Sequence, residues 1–280
     1  MNFPLIKVAL DVVPPLAFNG LRFPLAALAL WILMRALRIR TRPERKDLPA
    51  VVGLGILGHV VYQALFILAV ARTSAGNASL VLATSPAWVV VLSAITGQES
   101  VSVRVWGGVG ATILGMALVV AGGQGASFGS ATLSGDLLML AASVAWASYT
   151  VGSRPLIHRY GPMPITAWTL WGGTSGVLLL GAPGLTRLDS AVLTPGIWGI
   201  VLYAGVLSIS VAYVLWNRGV RRIGNSRTAV YSNLVPVVAL LAAWVALGER
   251  PTTLQIVGAA VILAGLQWTR PRRGAEPGRK

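Results

Sequence analysis

Residues 69 to about 120 carry an apolar pattern that returns 150 positions later with no insertion or deletion. Ala78 falls on Thr228, Pro86 on Pro236, Glu99 on Glu249, Gly108 on Gly258 and Gly115 on Gly265. The stretch "SPAWVVVLSAITGQESVSVRVWGGVGATILG" lies over "VPVVALLAAWVALGERPTTLQIVGAAVILAG". Both stretches are long and helix-like, so the duplicated unit is a helical membrane bundle of five helices. Five is odd. Two copies of an odd unit must enter the bilayer in opposite directions, the inverted-repeat arrangement common among secondary transporters.

Composition supports the bilayer. Hydrophobic residues make up 55% of the 280 and charged ones 11%, where a soluble domain carries about a quarter charged. The apolar runs of roughly 20 residues match a ~30 Å hydrocarbon core crossed at ~1.5 Å per residue. They predict full spans at 15–37, 48–70, 78–97, 105–122, 134–152, 162–181, 195–216, 228–247 and 253–269. Backbone groups in lipid must find partners within their own segment, and these runs are too long for barrel strands, so the fold class is all-α. The two repeats are read as 1–122 and 134–269, followed by a polar, basic tail over 270–280 that is expected to be disordered. With no cysteine, neither disulfides nor a thiolate metal site enter the argument.

A net charge of +15 raises the question of nucleic acid, and its placement answers it. Eighteen Lys and Arg fall between spans on one face, among them Arg35, Arg38, Arg40, Arg154, Arg218, Arg221, Arg222, Arg227 and the tail, against Arg72, Arg187 and Arg250 on the other. That asymmetry is a topology signal: the rich face is cytoplasmic and the C-terminus is inside. The partners implied are lipid and a small solute, with no nucleic acid. Oligomeric state is not legible.

The two copies differ at the front. Copy two opens with "GDLLMLAASVAWASYTVG" before "YGPMPITAW", whereas copy one reaches the matching "VVPPLAFNG" after about a dozen residues. The expectation is a truncated first helix, Met1–Val13, too short to cross the bilayer, leaving nine full spans of a ten-helix plan.

Three segments carry a resemblance: "VPPLAFNGLRF", "AVARTSAGNASLVLATSPAWVVVLSAITGQE" and "GVRRIGNSRTAVYSNLVPVVALLAAWVALGERPT". With its doubled P…GE pattern at one spacing, the chain resembles the drug/metabolite transporter superfamily with EamA-type repeats. The resemblance implies ten helices, cytoplasmic termini, a central cavity shared by both halves, and movement of small metabolites, often exported amino acids.

Polar residues inside spans are the candidates for solute contact, because lipid offers them no partner. His59, Tyr62, Gln63 and Phe66 recur at i, i+3, i+4 and i+7, one helical face of imidazole, phenol, amide and benzene. The alternative for His59 and Gln63 is interhelical hydrogen bonding alone. Trp146 and Tyr149 lie mid-span, too deep for headgroup anchors, and Trp88 follows Pro86 closely. Tyr213 and Trp216 occupy the copy-two counterpart of the His59 helix, Tyr213 aligning with Gln63. Tyr231 and Asn233 precede Pro236 and complete the cavity candidates. Pro86 and Pro236 are expected to kink their helices at matching positions of the oppositely oriented copies and to act as hinges. Glu99 and Glu249 read as structural, bonded to backbone amides or to Arg104 and Arg250. Gly107, Ala111 and Gly115, with Gly258 and Gly265, read as close-packing faces. Arg22 reads as a snorkelling or capping residue. No P-loop, nucleophile–base set or metal cluster is found, so no enzyme, cofactor or metal is expected. The resulting expectation is a bacterial inner-membrane carrier exporting small metabolites, in particular amino acids, by alternating access. A broad exporter of hydrophobic compounds and a lipid-handling protein are its rivals.

Overall fold

The computed structural model describes residues 2–73, 75–122, 133–235, 237–238 and 252–268. Pro236, Glu249, Arg250 and the tail from 269 onward lie outside the described residues. The described residues are helical in the segments α1 (Asn2–Leu10), α2 (Pro15–Ala36), α3 (Arg45–Arg72), α4 (Ala75–Leu82) and α5 (Ser85–Ile95). They continue as α6 (Val103–Ala121), α7 (Leu133–Tyr160), α8 (Pro162–Leu185), α9 (Pro195–Ile223), α10 (Asn225–Tyr231) and α11 (Thr253–Trp268). Prolines begin α2, α8 and α9 within the first turn, where their missing N–H is not needed and their fixed φ favours helix entry. Gly161 (φ 94°) and Gly224 (φ 87°) make the sharp returns from α7 to α8 and from α9 to α10, angles that side chains with a Cβ resist.

The two repeats run in opposite directions, and two helix pairs demonstrate it. In α2 against α8, Gly20 abuts Gly181 and Leu185, while seven residues further along α2 the Ala27 carbonyl accepts from Trp171 Nε1 at 3.1 Å. Contacts thus advance along α2 as they retreat along α8. In α6 against α11, Gly107 faces Trp268, Gly115 faces Gly258 and Gly122 faces Thr252 and Gln255. Both pairs join the same helix of each repeat, so an antiparallel meeting means inversion. A Cβ added at Gly115 would lie 2.7 Å from the Gly258 carbonyl, and one at Gly258 would lie 2.6 Å from the Gly115 carbonyl. Gly265 meets the Gly108 carbonyl in the equivalent way. The small faces read from the sequence therefore bring two backbones into contact, where dispersion and close approach replace the hydrophobic effect that lipid removes.

Helices α2 and α9 make one inter-repeat packing and α3 and α8 its symmetry mate. Each uses a glycine 150 positions apart: a Cβ at Gly55 would lie 2.6 Å from the Thr169 carbonyl, and one at Gly205 would lie 2.6 Å from the Arg22 carbonyl. Each glycine adjoins or lies within a π-helical widening: Ile56–Val61 follows Gly55 in α3, and Tyr203–Val211 contains Gly205 in α9.

Among the described residues, three helices, α2, α3 and α9, are long and apolar enough to cross a bilayer by length and composition. The expected span 134–152 extends to Tyr160 in α7. Its last turns leave the apolar slab, where Arg159 pairs with Glu44 at 2.6 Å and Asp47 at 2.8 Å in the α2–α3 loop. The expected kink at Pro86 is instead a break. α4 ends at Leu82, and α5 starts afresh with Pro86 in its first turn, so the proline deprives no helix of a hydrogen bond. Thr84 Oγ1 and Ser85 Oγ donate to the Val81 and Leu82 carbonyls at 2.7 and 2.6 Å, satisfying acceptors that lipid cannot. The second repeat breaks at the corresponding position, α10 giving way to a 3-10 turn at Ser232–Leu234.

Candidate functional site

The π-helical stretch of α3 turns His59 inward, fully buried, while Tyr62, Gln63 and Phe66 follow on the same inner face. α7 brings Trp146 and Tyr149 against them because Gly58 presents no side chain toward the Tyr149 ring. α9 contributes Tyr213 and Trp216 from the other repeat.

Trp146 forms the hub, with ring centroids 5.0 Å from Tyr62, 5.5 Å from Tyr149, 5.0 Å from Tyr213 and 5.2 Å from Trp216. Tyr62 reaches Phe66 at 5.8 Å, and His59 stacks on Tyr213 at 5.3 Å and meets Tyr149 edge-on at 5.5 Å. Such offset and edge arrangements are the favourable ones for aromatic quadrupoles. Trp146 and Trp216 are only half-buried, so the cluster is not wholly enclosed.

Polar tips pin the rings. Gln63 Nε2 donates to the Tyr213 hydroxyl at 2.8 Å. These two residues are 150 positions apart, hence symmetry equivalents, and their hydrogen bond marks the pseudo-two-fold axis. His59 Nε2 pairs with Thr169 Oγ1 at 3.1 Å. Trp216 Nε1 donates to Thr150 Oγ1 at 3.2 Å, and Asn217 Nδ2 donates to Thr166 Oγ1 at 2.8 Å and to the Tyr149 hydroxyl at 3.4 Å. His59 Nδ1 and Trp88 Nε1 are buried without a hydrogen-bond partner among the described residues.

Seven of the candidates read from the sequence, His59, Tyr62, Gln63, Trp146, Tyr149, Tyr213 and Trp216, thus meet in one cluster. Trp88 flanks it, packed with Trp216 against Val89, Ala147, Val151 and Ala229. Tyr231 and Asn233 stand elsewhere: Tyr231 is 37% exposed, and Asn233 Nδ2 donates to Thr112 Oγ1 on α6 at 2.9 Å. Arg22 does not snorkel. It is 1% exposed and turned inward, its Nε 3.0 Å from Asn19 Oδ1 and its Nη2 2.8 Å from Gln63 Oε1. Sequence reading missed it because nothing local reveals that Gln63, on another helix, reaches toward it.

Each mouth of the bundle is tied. On the arginine-rich face, Glu99 accepts from the Asn225 and Ser226 amides at 2.6 and 3.2 Å and pairs with Arg154 at 3.1 Å. Backbone amides were expected for Glu99; the cation is Arg154 of the other repeat rather than Arg104. Asn225 Nδ2 also donates to Gln98 Oε1 at 3.0 Å, and a cavity of about 390 Å³ opens beside these residues, lined further by Arg221, Arg222 and Arg227. On the opposite face, Asp136 accepts from Thr73 Oγ1 at 2.6 Å and from Asn77 Nδ2 at 3.1 Å, while Lys7 donates to the Thr73 carbonyl at 2.6 Å.

Inverted repeats, helices interrupted at equivalent positions and an aromatic cluster on the pseudo-axis define a membrane transporter. The chain belongs to the EamA-like transporter family, which matches residues 1–121 and 133–269. A probable terminal-alkyne amino-acid exporter of Streptantibioticus cattleyicolor is 32% identical over 285 residues, covering 99% of this chain and 93% of that protein. A probable amino-acid metabolite efflux pump of Salmonella typhimurium is 30% identical over 276 residues, covering 95% and 89%. A solved crystal structure superposes with TM-score 0.78 at 21% identity, over 95% of this chain and 90% of the other, and shares the fold. The family is one of integral membrane transporters acting on small molecules.

Proposed function

We propose that this transporter exports amino acids or closely similar small metabolites across the bacterial inner membrane by alternating access, its arginine-rich face in the cytoplasm. The observation that carries the reading is the Gln63–Tyr213 bond on the pseudo-axis, surrounded by rings from both repeats. A solute bound there touches both halves and is exposed to either side by their relative rocking. The hydrogen-bonded ties at the two mouths supply what alternation needs, a latch on each face that one state keeps and the other releases. The breaks before Pro86 and after Tyr231 interrupt the α-helix at equivalent positions of the two repeats, which suits the hinge role read for Pro86 and Pro236. Relatives named as amino-acid exporters point to the same solute class.

Counterflow in proteoliposomes tests the reading. Vesicles loaded with L-phenylalanine should accumulate external radiolabelled L-phenylalanine above protein-free controls. Inhibition by planar hydrophobic dyes with no effect of free amino acids would favour a broad exporter instead, and lipid scrambling without solute flux would favour lipid handling.

A further inference from the structure

Arg22 lies about 10 Å into α2 from the helix start, counting 1.5 Å per residue, and its head turns into the bundle instead of toward the nearer mouth. Among the described residues no Asp or Glu forms an ion pair with it. What surrounds the guanidinium is neutral: Asn19 Oδ1 at 3.0 Å, Gln63 Oε1 at 2.8 Å and the Phe18 ring with its centroid 5.1 Å away. Guanidinium groups stay protonated in proteins, and carbonyl oxygens solvate such a charge without neutralising it. A lone cation at this depth is costly in lipid and is retained where it has a task.

The surroundings hold that cation in place. Gly205 lets α9 close onto the Arg22 carbonyl, and Asn19 Nδ2 is itself tied to the Gln63 carbonyl at 3.0 Å. The corresponding stretch of the second repeat, Thr169–Gly173, carries no charged residue, so the positive charge belongs to one side of the pseudo-axis only. Gln63 then links it directly to the aromatic cluster, accepting from Arg22 and donating to Tyr213.

We propose that Arg22 is the anchor for a carboxylate on the transported solute, with Gln63 and Tyr213 orienting it and the Trp146 cluster receiving the solute's apolar part. The guanidinium fork matches a carboxylate in a way that no point charge does. An amphipathic monocarboxylate, positively selected by one uncompensated Arg, is therefore the substrate class, and cationic hydrophobic compounds are disfavoured by the same charge. The assignment rests on the transport reading above and adds the recognised group.

Four probes of one ring size test it in counterflow competition: L-phenylalanine, 3-phenylpropionate, L-phenylalaninamide and phenethylamine. In the wild-type protein the two carboxylates should compete at least tenfold better than the amide and the amine. Arg22→Gln should erase that preference by weakening the carboxylates tenfold or more while leaving the other two unchanged. Arg22→Lys, keeping charge without the fork, should restore part of it. Equal competition by all four in the wild type overturns the anchor and leaves the transporter reading standing. A uniform loss for all four in Arg22→Gln makes the residue structural and overturns the anchor likewise. Failure of the glutamine variant to fold leaves the wild-type ranking and the lysine variant to decide. Absence of any L-phenylalanine flux in the wild type refutes both this assignment and the amino-acid reading.

Discussion

Trp146 stacks among Tyr62, Tyr149, Tyr213 and Trp216 while keeping part of its surface open, so its removal takes away ring surface without opening the bundle to lipid. Tyr62→Ala and Trp146→Ala should each raise the half-saturation concentration for L-phenylalanine by roughly two- to tenfold, in line with the ~0.5–1.5 kcal/mol of an aromatic pair. Both proteins should insert and elute as the wild type does; unchanged counterflow would remove the cluster from the transport path. Outside the membrane, the Lys46 hydrogen bond and the Arg159 charge hold the Glu44 carboxyl below its usual range. Its folded-state value is depressed, so the tie to α7 is complete above the unfolded carboxylate value of about 4.3 and is lost as pH falls through the lower folded one. Protection of the α2–α3 loop from protease should follow that direction, and Glu44→Gln should flatten it. At this scale the sequence was partly legible. The i, i+3, i+4, i+7 spacing put His59, Tyr62, Gln63 and Phe66 on one face, as found. The true depth and direction of Arg22 were not legible, because an arginine seven residues into a span looks the same whether it reaches for headgroups or for an amide 41 positions away.

Between α6 and α11 the two backbones touch through Gly108, Gly115, Gly258 and Gly265. Gly115→Leu drives a side chain into the Gly258 carbonyl, which cannot step aside as a flexible side chain would. The expected loss is about 1–3 kcal/mol, typical of overpacking, read as a lower midpoint of thermal aggregation in detergent. Gly110→Leu serves as the control, since nothing lies within 4 Å of a Cβ there. A second element-scale prediction concerns the latch at the end of α5. Glu99→Gln keeps an acceptor for the Asn225 amide but gives up the charge facing Arg154, so the arginine-rich mouth should open more often. The natural chain lacks cysteine, so a single Ala229→Cys, buried beneath that latch, reports it. Its labelling by an impermeant maleimide should accelerate severalfold in the Glu99→Gln background, and an unchanged rate would deny the latch role. The glycine faces were visible in sequence as spaced small residues. The π-helical stretches were not, because an extra residue in a turn leaves no compositional trace and forms only where Gly55 and Gly205 are pressed against another helix.

For the whole molecule, antiparallel meetings of α2 with α8 and of α6 with α11 establish that the halves are inverted. The charge asymmetry is the basis for the proposed sidedness. A C-terminal alkaline phosphatase fusion should be inactive and a fluorescent-protein fusion at the same point bright; the reverse would invert the proposed direction of transport. Composition, the odd helix number and the 150-residue repeat were sufficient to determine the all-α class and the inversion, because bilayer thickness and backbone hydrogen bonding leave few folds open to such a chain, while the family was legible only through the resemblance of the doubled P…GE segments. Periodicity also nominated most of the aromatic cluster, since it ranks residues by face. Tertiary structure alone decided which faces meet: that Gln63 bonds its own symmetry equivalent, that Asn233 turns to α6, that Pro86 begins a helix rather than bending one, and that Arg22 is enclosed with no carboxylate in reach among the described residues. Those outcomes depend on contacts between segments far apart in the chain, whose distances are set by packing and are absent from any local pattern of residues.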